Sequence, residues 1–371
     1  MNMERNYILL EANEEFSVCK PLHDGTILFS TDGATWETWA AEIKRMQCKG
    51  GRLYLRGRGN TYVRELKIKS NKTCRIKLSG NIESLLDFET VEKGLHPVMG
   101  NNTFTNIFAL SYITDASALK LPATTLAEGC YEGMFYGCTS LTAAPELPAT
   151  TLAEGCYSGM FDNCTSLTEA PELPATTLAV SCYEDMFRGC TLLVEAPELP
   201  ATTLAAYCYE DMFRGCASLT AAPKLPAKTL AETCYSGMFR GCTSLAAAPK
   251  LPAKTLAKAC YEWMFCDCKS LTAAPELPAT KLATSCYSGM FCDCASLTAA
   301  PELPATTLAD SCYRGMFRGC TSLAAAPKLP ATTLAKSCYS GMFCDCASLT
   351  KAPELPASTL ANCCYEDIFH G

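Results

Sequence analysis

The feature that most constrains this chain is a 26-residue word repeated about ten times. From about Leu121 onward the unit reads L-P-A-T-T-L-A-x-x-C-Y-x-x-M-F-x-G-C-x-S-L-x-x-A-P-x, with the last copy incomplete. Ten cysteines run from Cys130 through Cys156 to Cys364 in steps of 26, and a second series runs from Cys138 to Cys346 in the same step. A unit this short cannot bury its apolar face alone, so a fixed period of this size predicts stacking on neighbours. Positions held from copy to copy should then face inward and variable ones outward. The predicted fold class is an α/β solenoid, a curved leucine-rich-repeat-like array of units that each carry a short strand and a short helix. A small β-sandwich-like domain should precede it.

Within the unit, Thr125-x-x-Glu128, Thr151-x-x-Glu154, Thr229-x-x-Glu232 and Thr307-x-x-Asp310 read as helix starts, the hydroxyl capping the first amides. Leu126, Cys130 and Met134 follow at i, i+4 and i+8, flanked by Ala127, Tyr131 and Phe135, which predicts an amphipathic helix of about three turns. Gly137, Asn163, Gly189, Asp267, Asp293 and their equivalents tolerate a left-handed backbone and read as its stop. The residue before that stop varies: Tyr136, Asp162, Arg188, Arg214, Arg240, Cys266, Cys292, Arg318, Cys344, His370. A position that accepts Arg, Asp and His is expected at the surface, so Cys292-Asp293-Cys294 reads as an exposed thiol beside a buried one. After it, Leu141 and Leu147 should enter the core and a short parallel strand should pair rung to rung, with Ala144 inward. Strands stack at about 4.8 Å and helices at about 8–10 Å, so the array should bend with its strands on the concave side.

The remaining chain is read in three pieces. Residues 1–95 lack the repeat and alternate in the manner of strands, with an Asp32-Gly33 turn. Residues 96–120 look like a degenerate capping repeat, Phe108 standing 27 residues before Phe135, and residues 121–371 form the array. Of the 371 residues 49% are hydrophobic, which fits a folded chain, and the net charge of −7 supplies no basic face for nucleic acid. The opening MNMERNYILLEANEEFSVCK lacks the apolar core of a leader, and no run approaches the roughly 18 apolar residues of a membrane span, so no membrane insertion is expected. At the other end Leu360, Cys364, Tyr365 and Phe369 should lie open to water, from a truncated gene or for a docking partner or oligomer contact.

Several chemistries compete for the cysteines. Cys266 and Cys292 on adjacent rungs, with Asp267 and Asp293 beside them, could offer soft metal ligands, yet no Cys-x-x-Cys occurs and the histidines are only His23, His96 and His370. An adventitious thiol is the preferred reading, so no metal site and no cofactor are assigned. Equivalent cysteines about 5 Å apart could form disulfides, but a long ladder bonds only in pairs and cysteine packs well as a small buried group. Nucleophilic catalysis needs a base beside the nucleophile, and scaffold words repeated this often argue against a catalytic site. The tyrosines from Tyr131 to Tyr365 read as core. What varies is what can recognise: Glu146, Glu169, Glu172, Glu195, Lys224 and Lys250 on one face, and Arg188, Arg214 and Arg240 as a short basic row on another.

The segment M-F-R-G-C-T-S-L-A-A-A-P-K-L-P, from Met238 to Pro252, resembles the BspA-like class of leucine-rich repeats, whose units carry A-F-x-G-C-x-S-L-x-x-I-x-I-P. The likeness covers about two-thirds of the chain. The unit here is longer, its strand contains proline, and the asparagine of typical leucine-rich repeats is absent. The resemblance implies a non-enzymatic binding scaffold that recognises a protein or glycan at a cell surface, as adhesins do, or a phage tail or receptor-binding component of a virion. A metal-binding or redox cysteine-rich protein and a structural spacer are the readings from other classes.

Overall fold

The computed structural model describes residues 6–71 and 73–371; residues 1–5, the head of the segment read for a leader, and Lys72 lie outside it. The chain divides into two compact units, Met1–Pro174 and Ala175–Gly371.

The first unit opens with strands β1 (Ile8–Ala12), β2 (Phe16–Cys19), β3 (Leu22–His23), β4 (Thr26–Ser30), β5 (Glu37–Thr38), β6 (Arg45–Cys48), β7 (Arg52–Arg58), β8 (Val63–Arg64), β9 (Ile68–Lys69) and β10 (Ile76–Asn81). Helix α1 (Ser84–Glu92) and strand β11 (Ile113–Lys120) follow. Six strands form one sheet in the order β11-β10-β1-β7-β4-β5, with a three-stranded sheet β6-β2-β9 and a pair β3-β8. Alternation sets the buried face: Ile8 and Leu10, Leu53 and Leu55, and Ile76 and Leu78 are all solvent-inaccessible or nearly so. They meet across the ladder as Ile8↔Leu55, Leu10↔Leu53 and Leu10↔Leu78. Helix α1 packs on β7 at Gly57, where a Cβ would collide with the Leu85 carbonyl oxygen. The Asp32-Gly33 segment links the antiparallel pair β4 and β5; the Asp32 carboxylate accepts the amides of Ala34 and Thr35, each at 2.8 Å.

Strand β11 belongs to two structures at once. It runs parallel to β10 in the six-stranded sheet. Its Asp115 also forms a parallel bridge to Ala143 of the repeat that follows.

The repeats stack, but the predicted helices do not form. Among the described residues α1 is the only helix, and the segment from Ala127 to Cys138 is instead a ribbon of consecutive turns. Its even-numbered amides bond within the rung: Cys130 N–H to Ala127, Glu132 to Gly129, Met134 to Tyr131, Tyr136 to Gly133 and Cys138 to Phe135. Its odd-numbered amides bond to the next rung: Gly129 N–H to the Glu154 carbonyl, Tyr131 to Cys156, Gly133 to Ser158, Phe135 to Met160 and Gly137 to Asp162, at 2.8–3.0 Å. In an α-helix every interior amide would point along its own axis. Here half of them join one rung to the next.

The second unit repeats the pattern, as in Ala259 to Thr284, Tyr261 to Cys286, Trp263 to Ser288, Phe265 to Met290 and Asp267 to Cys292. Every fourth residue of the ribbon has positive φ: 129, 133 and 137 in the first full rung, then the same three positions in each copy. Of the threonines read as helix caps, Thr125, Thr151 and Thr307 serve instead as bridge points, in Thr125↔Thr151 and Thr307↔Thr333. The predicted strand shrinks to single-residue parallel bridges such as Ala221↔Ala247 and Ala247↔Ala273, and the proline two residues after each bridge point carries no N–H to extend it. The ribbon already begins at the rung before the first full repeat, where Asn102, Phe104, Asn106, Phe108 and Leu110 donate to residues 128 through 136.

Side chains of like residues pile up on this frame. Cys130, Tyr131, Met134, Phe135, Cys138 and Leu141 are fully buried, as are nearly all their equivalents. In the first unit Phe104, Tyr131 and Tyr157 stack at 5.8 Å between centroids. In the second, Tyr183 to Tyr365 and Phe187 to Phe369 form two columns, with neighbours 5.6–5.9 Å apart and close to parallel. Offset stacks of this kind add about 0.5–1.5 kcal/mol per pair beyond the burial itself. The tyrosine ladder is therefore core. Ala144 and its equivalents through Ala326, expected inside, are half-buried, and Ala149 and its equivalents through Ala331 fill the interior at about 1% exposure instead. At the carboxyl end Cys364 is buried and Tyr365 half-buried, while Leu360 is 64% and Phe369 39% exposed.

Candidate functional site

Two places in the repeats gather chemistry outside the core. The first arises where the ladder fails. In A-P-x-L-P the prolines cannot donate to a neighbouring rung, and clefts open between successive copies. In the first unit one such cleft of about 530 Å³ lies between Ala144–Pro148 and Ala170–Pro174, with Glu146 and Glu172 on its walls. In the second unit the series recurs: Glu198 with Lys224, Lys250 with Glu276, Glu276 with Glu302, and Lys328 with Lys351 and Glu354, in clefts of about 370 to 520 Å³. Of the residues singled out in the sequence, Glu146, Glu172, Lys224 and Lys250 thus line clefts, and all four are exposed. Glu169 and Glu195 are also exposed, three residues before the cleft position. The prolines that make the walls are held in every copy and were legible only as strand breakers.

The basic row is half-buried and engaged. Arg188 Nη1 lies 3.5 Å from Asp185 Oδ1, and Arg214 Nη1 3.0 Å from Asp211 Oδ2. The Arg240 guanidinium sits 5.6 Å from the centre of the Trp263 ring. These contacts place each cation against a residue at a left-handed position of the same ribbon or the next.

The second place is the Cys-x-Cys itself. Cys266, Cys292 and Cys344, expected at the surface, are 2%, 5% and 8% exposed. A neighbouring rung only about 5 Å away covers a side chain as short as cysteine, whereas arginine at the same position reaches past it. Cys266, Cys292 and Asp293 bring their sulfur and carboxylate atoms within 4.8 Å of one another. The Cys292 thiol donates to Asp293 Oδ2 at 3.2 Å, and the Cys266 thiol to Asp267 Oδ2 at 3.5 Å. The hydrogen bond with Cys266, then burial, raises the Cys292 thiol far above the usual range. The thiols of the second cysteine series are spent differently: Cys242, Cys268, Cys294 and Cys320 each donate to the carbonyl of a phenylalanine 29 residues earlier, at 3.0–3.1 Å. Burial pushes Cys138 and Cys242 up to about 12.

No protein-family model matches the chain, and no curated protein or solved structure matches it either. Among the described residues no helix is long and apolar enough to cross a membrane.

Proposed function

We propose that the chain is a non-enzymatic binding scaffold, a solenoid of BspA-like character, which takes an extended protein or glycan ligand at a cell surface along its proline-walled clefts. The observation that carries this reading is the recurrence of an open cleft at the same place in successive repeats, each with two charged side chains at its wall. An extended ligand with its own repeat can meet several such clefts in register, which is how arrays gain affinity from individually weak sites. The charge at the cleft position changes from Glu198 to Lys224, Lys250 and Glu276. That sequence of signs supplies register, and electrostatic matching contributes specificity more than raw affinity.

A binding survey of the full chain against cell-surface proteins and glycans tests this, followed by charge reversal with Lys224→Glu and Lys250→Glu. Binding of the captured ligand should fall at least about tenfold, as expected for loss of two matched charges. Changing Arg188, Arg214 and Arg240 to Ala should matter much less, because those cations are already held by Asp185, Asp211 and Trp263. A survey without a saturable ligand would favour the structural spacer.

A further inference from the structure

We infer that Cys266, Cys292 and Asp293 form a zinc site that ties two adjacent rungs together. This is independent of the binding face, which lies on other residues. The three ligand atoms are already within 4.8 Å of one another. Around a tetrahedral zinc, with Zn–S near 2.3 Å and Zn–O near 2.0–2.2 Å, ligand atoms stand roughly 3.3–3.8 Å apart, so each need move by less than about 1 Å. Asp267, whose carboxylate is 3.5 Å from the Cys266 sulfur, or a water completes the coordination.

The surroundings favour a cation here. Both flanking arginines, at the equivalent position one rung before and one rung after, are turned to other groups: Arg240 to the Trp263 ring and Arg318 to Asp345, its Nε 3.8 Å from Oδ2. The Asp293 carboxylate rests over Gly319, where any side chain would collide with it. The thiols are buried and Asp293 is exposed, which gives a dry floor with an open mouth for the ion. Two soft thiolates with a carboxylate suit zinc, a d10 ion without geometric demands of its own. On binding, each S–H bond is replaced by an S–Zn bond and its proton leaves to solvent; no electron moves.

The same words elsewhere supply the control. Cys344 donates to Asp345 Oδ2 at 3.3 Å, but the preceding rung offers Arg318 rather than a second thiol at that position.

Equilibrium dialysis of the reduced, metal-free full chain against zinc tests the site. One zinc per chain should bind with a dissociation constant below about 1 µM. Cys266→Ser and Cys292→Ser should each weaken it by about 100-fold or more, and Asp293→Asn, at an exposed position, by about tenfold. Cys344→Ser should leave it unchanged. Because the serine variants change buried positions, cadmium added to the unmutated protein gives a second reading: a thiolate-to-cadmium charge-transfer band that saturates at one equivalent. The proposal is overturned by absence of saturable binding or of that band, by binding that survives in the Cys266→Ser/Cys292→Ser double variant, or by equal loss in Cys344→Ser.

Discussion

Stacking at a spacing of about 5 Å forces like residues together, which is harmless for phenylalanine and costly for carboxylates. Glu184, Glu210 and Glu262 occupy one column position, with Asp185 and Asp211 beside them. Burial first, then the charges of Glu184, Asp211 and Asp185, raise the Glu210 carboxyl from 4.5 to about 7. The folded chain therefore holds a proton that the unfolded chain releases between those two values. Folding takes up a proton in that window, so this group lowers stability progressively as the pH rises from about 4.5 to about 7 and imposes its full penalty above it. Glu210→Gln should melt at a higher temperature than the parent at pH 8 and at the same temperature near pH 4. An equal gain at both values would mean that the carboxyl titrates normally.

At the scale of the element, the sequence made the buried faces legible and the backbone illegible. Cys130, Tyr131, Met134, Phe135 and Cys138 do face inward, because both an α-helix and the turn ribbon return side chains to the same side after about four residues. Over nine residues a period of 3.6 and one of 4 are hard to tell apart. The signal that distinguishes them lay in the variable positions: Gly129 and Gly133 stand inside the supposed helix, where each would cost about 1 kcal/mol. The same two positions hold Gly155 and Gly159, Ser181 and Asp185, and Ser285 and Gly289 in other copies, and all have positive φ. The turn thus requires a left-handed backbone there, which glycine adopts without strain, and replacing a glycine should destabilise to a degree set by its neighbour. Gly315→Ala finds open space, with nothing within 4 Å of the new Cβ, and should cost about 1–2 kcal/mol for the left-handed backbone alone. Gly289→Ala would also press on the Trp263 ring, 2.6 Å from the new Cβ, and should cost more. Urea unfolding of both variants checks the order; a helix at this segment would instead make both changes stabilising.

For the molecule taken whole, the repeat period revealed which residues are shared from rung to rung but not which of the varying ones are reachable. Arginine and cysteine alternate at one position, yet Cys266 and Cys292 are covered while Arg318 is exposed. Reach, which differs between a thiol on one carbon and a guanidinium on a three-carbon stem, decides this and leaves no trace in a pattern of variability. The clefts were hidden for a related reason: a missing amide is visible in the sequence as proline, but the gap it leaves depends on how closely the flanking bonds draw the rungs together. A thiol census probes the stacked arrangement of the chain directly. Cys363 is exposed and Cys19 half-buried, whereas the ladder sulfurs from Cys208 to Cys320 are at most 5% exposed. A thiol held near 12, as in Cys234, Cys242 and Cys286, is ionised to only about one part in 10⁴ at pH 8. Brief treatment of the native chain with iodoacetamide should therefore label Cys363 first and Cys19 next, with the half-buried Cys346 slower because its thiol is raised to about 11. The remaining 23 of the 26 cysteines (26 − 3) should react only after denaturation. Peptide mapping that finds the ladder thiols labelled as fast as Cys363 would mean that the rungs do not close over their sulfurs, and the hydrogen-bonded stack from one repeat to the next would have to be abandoned.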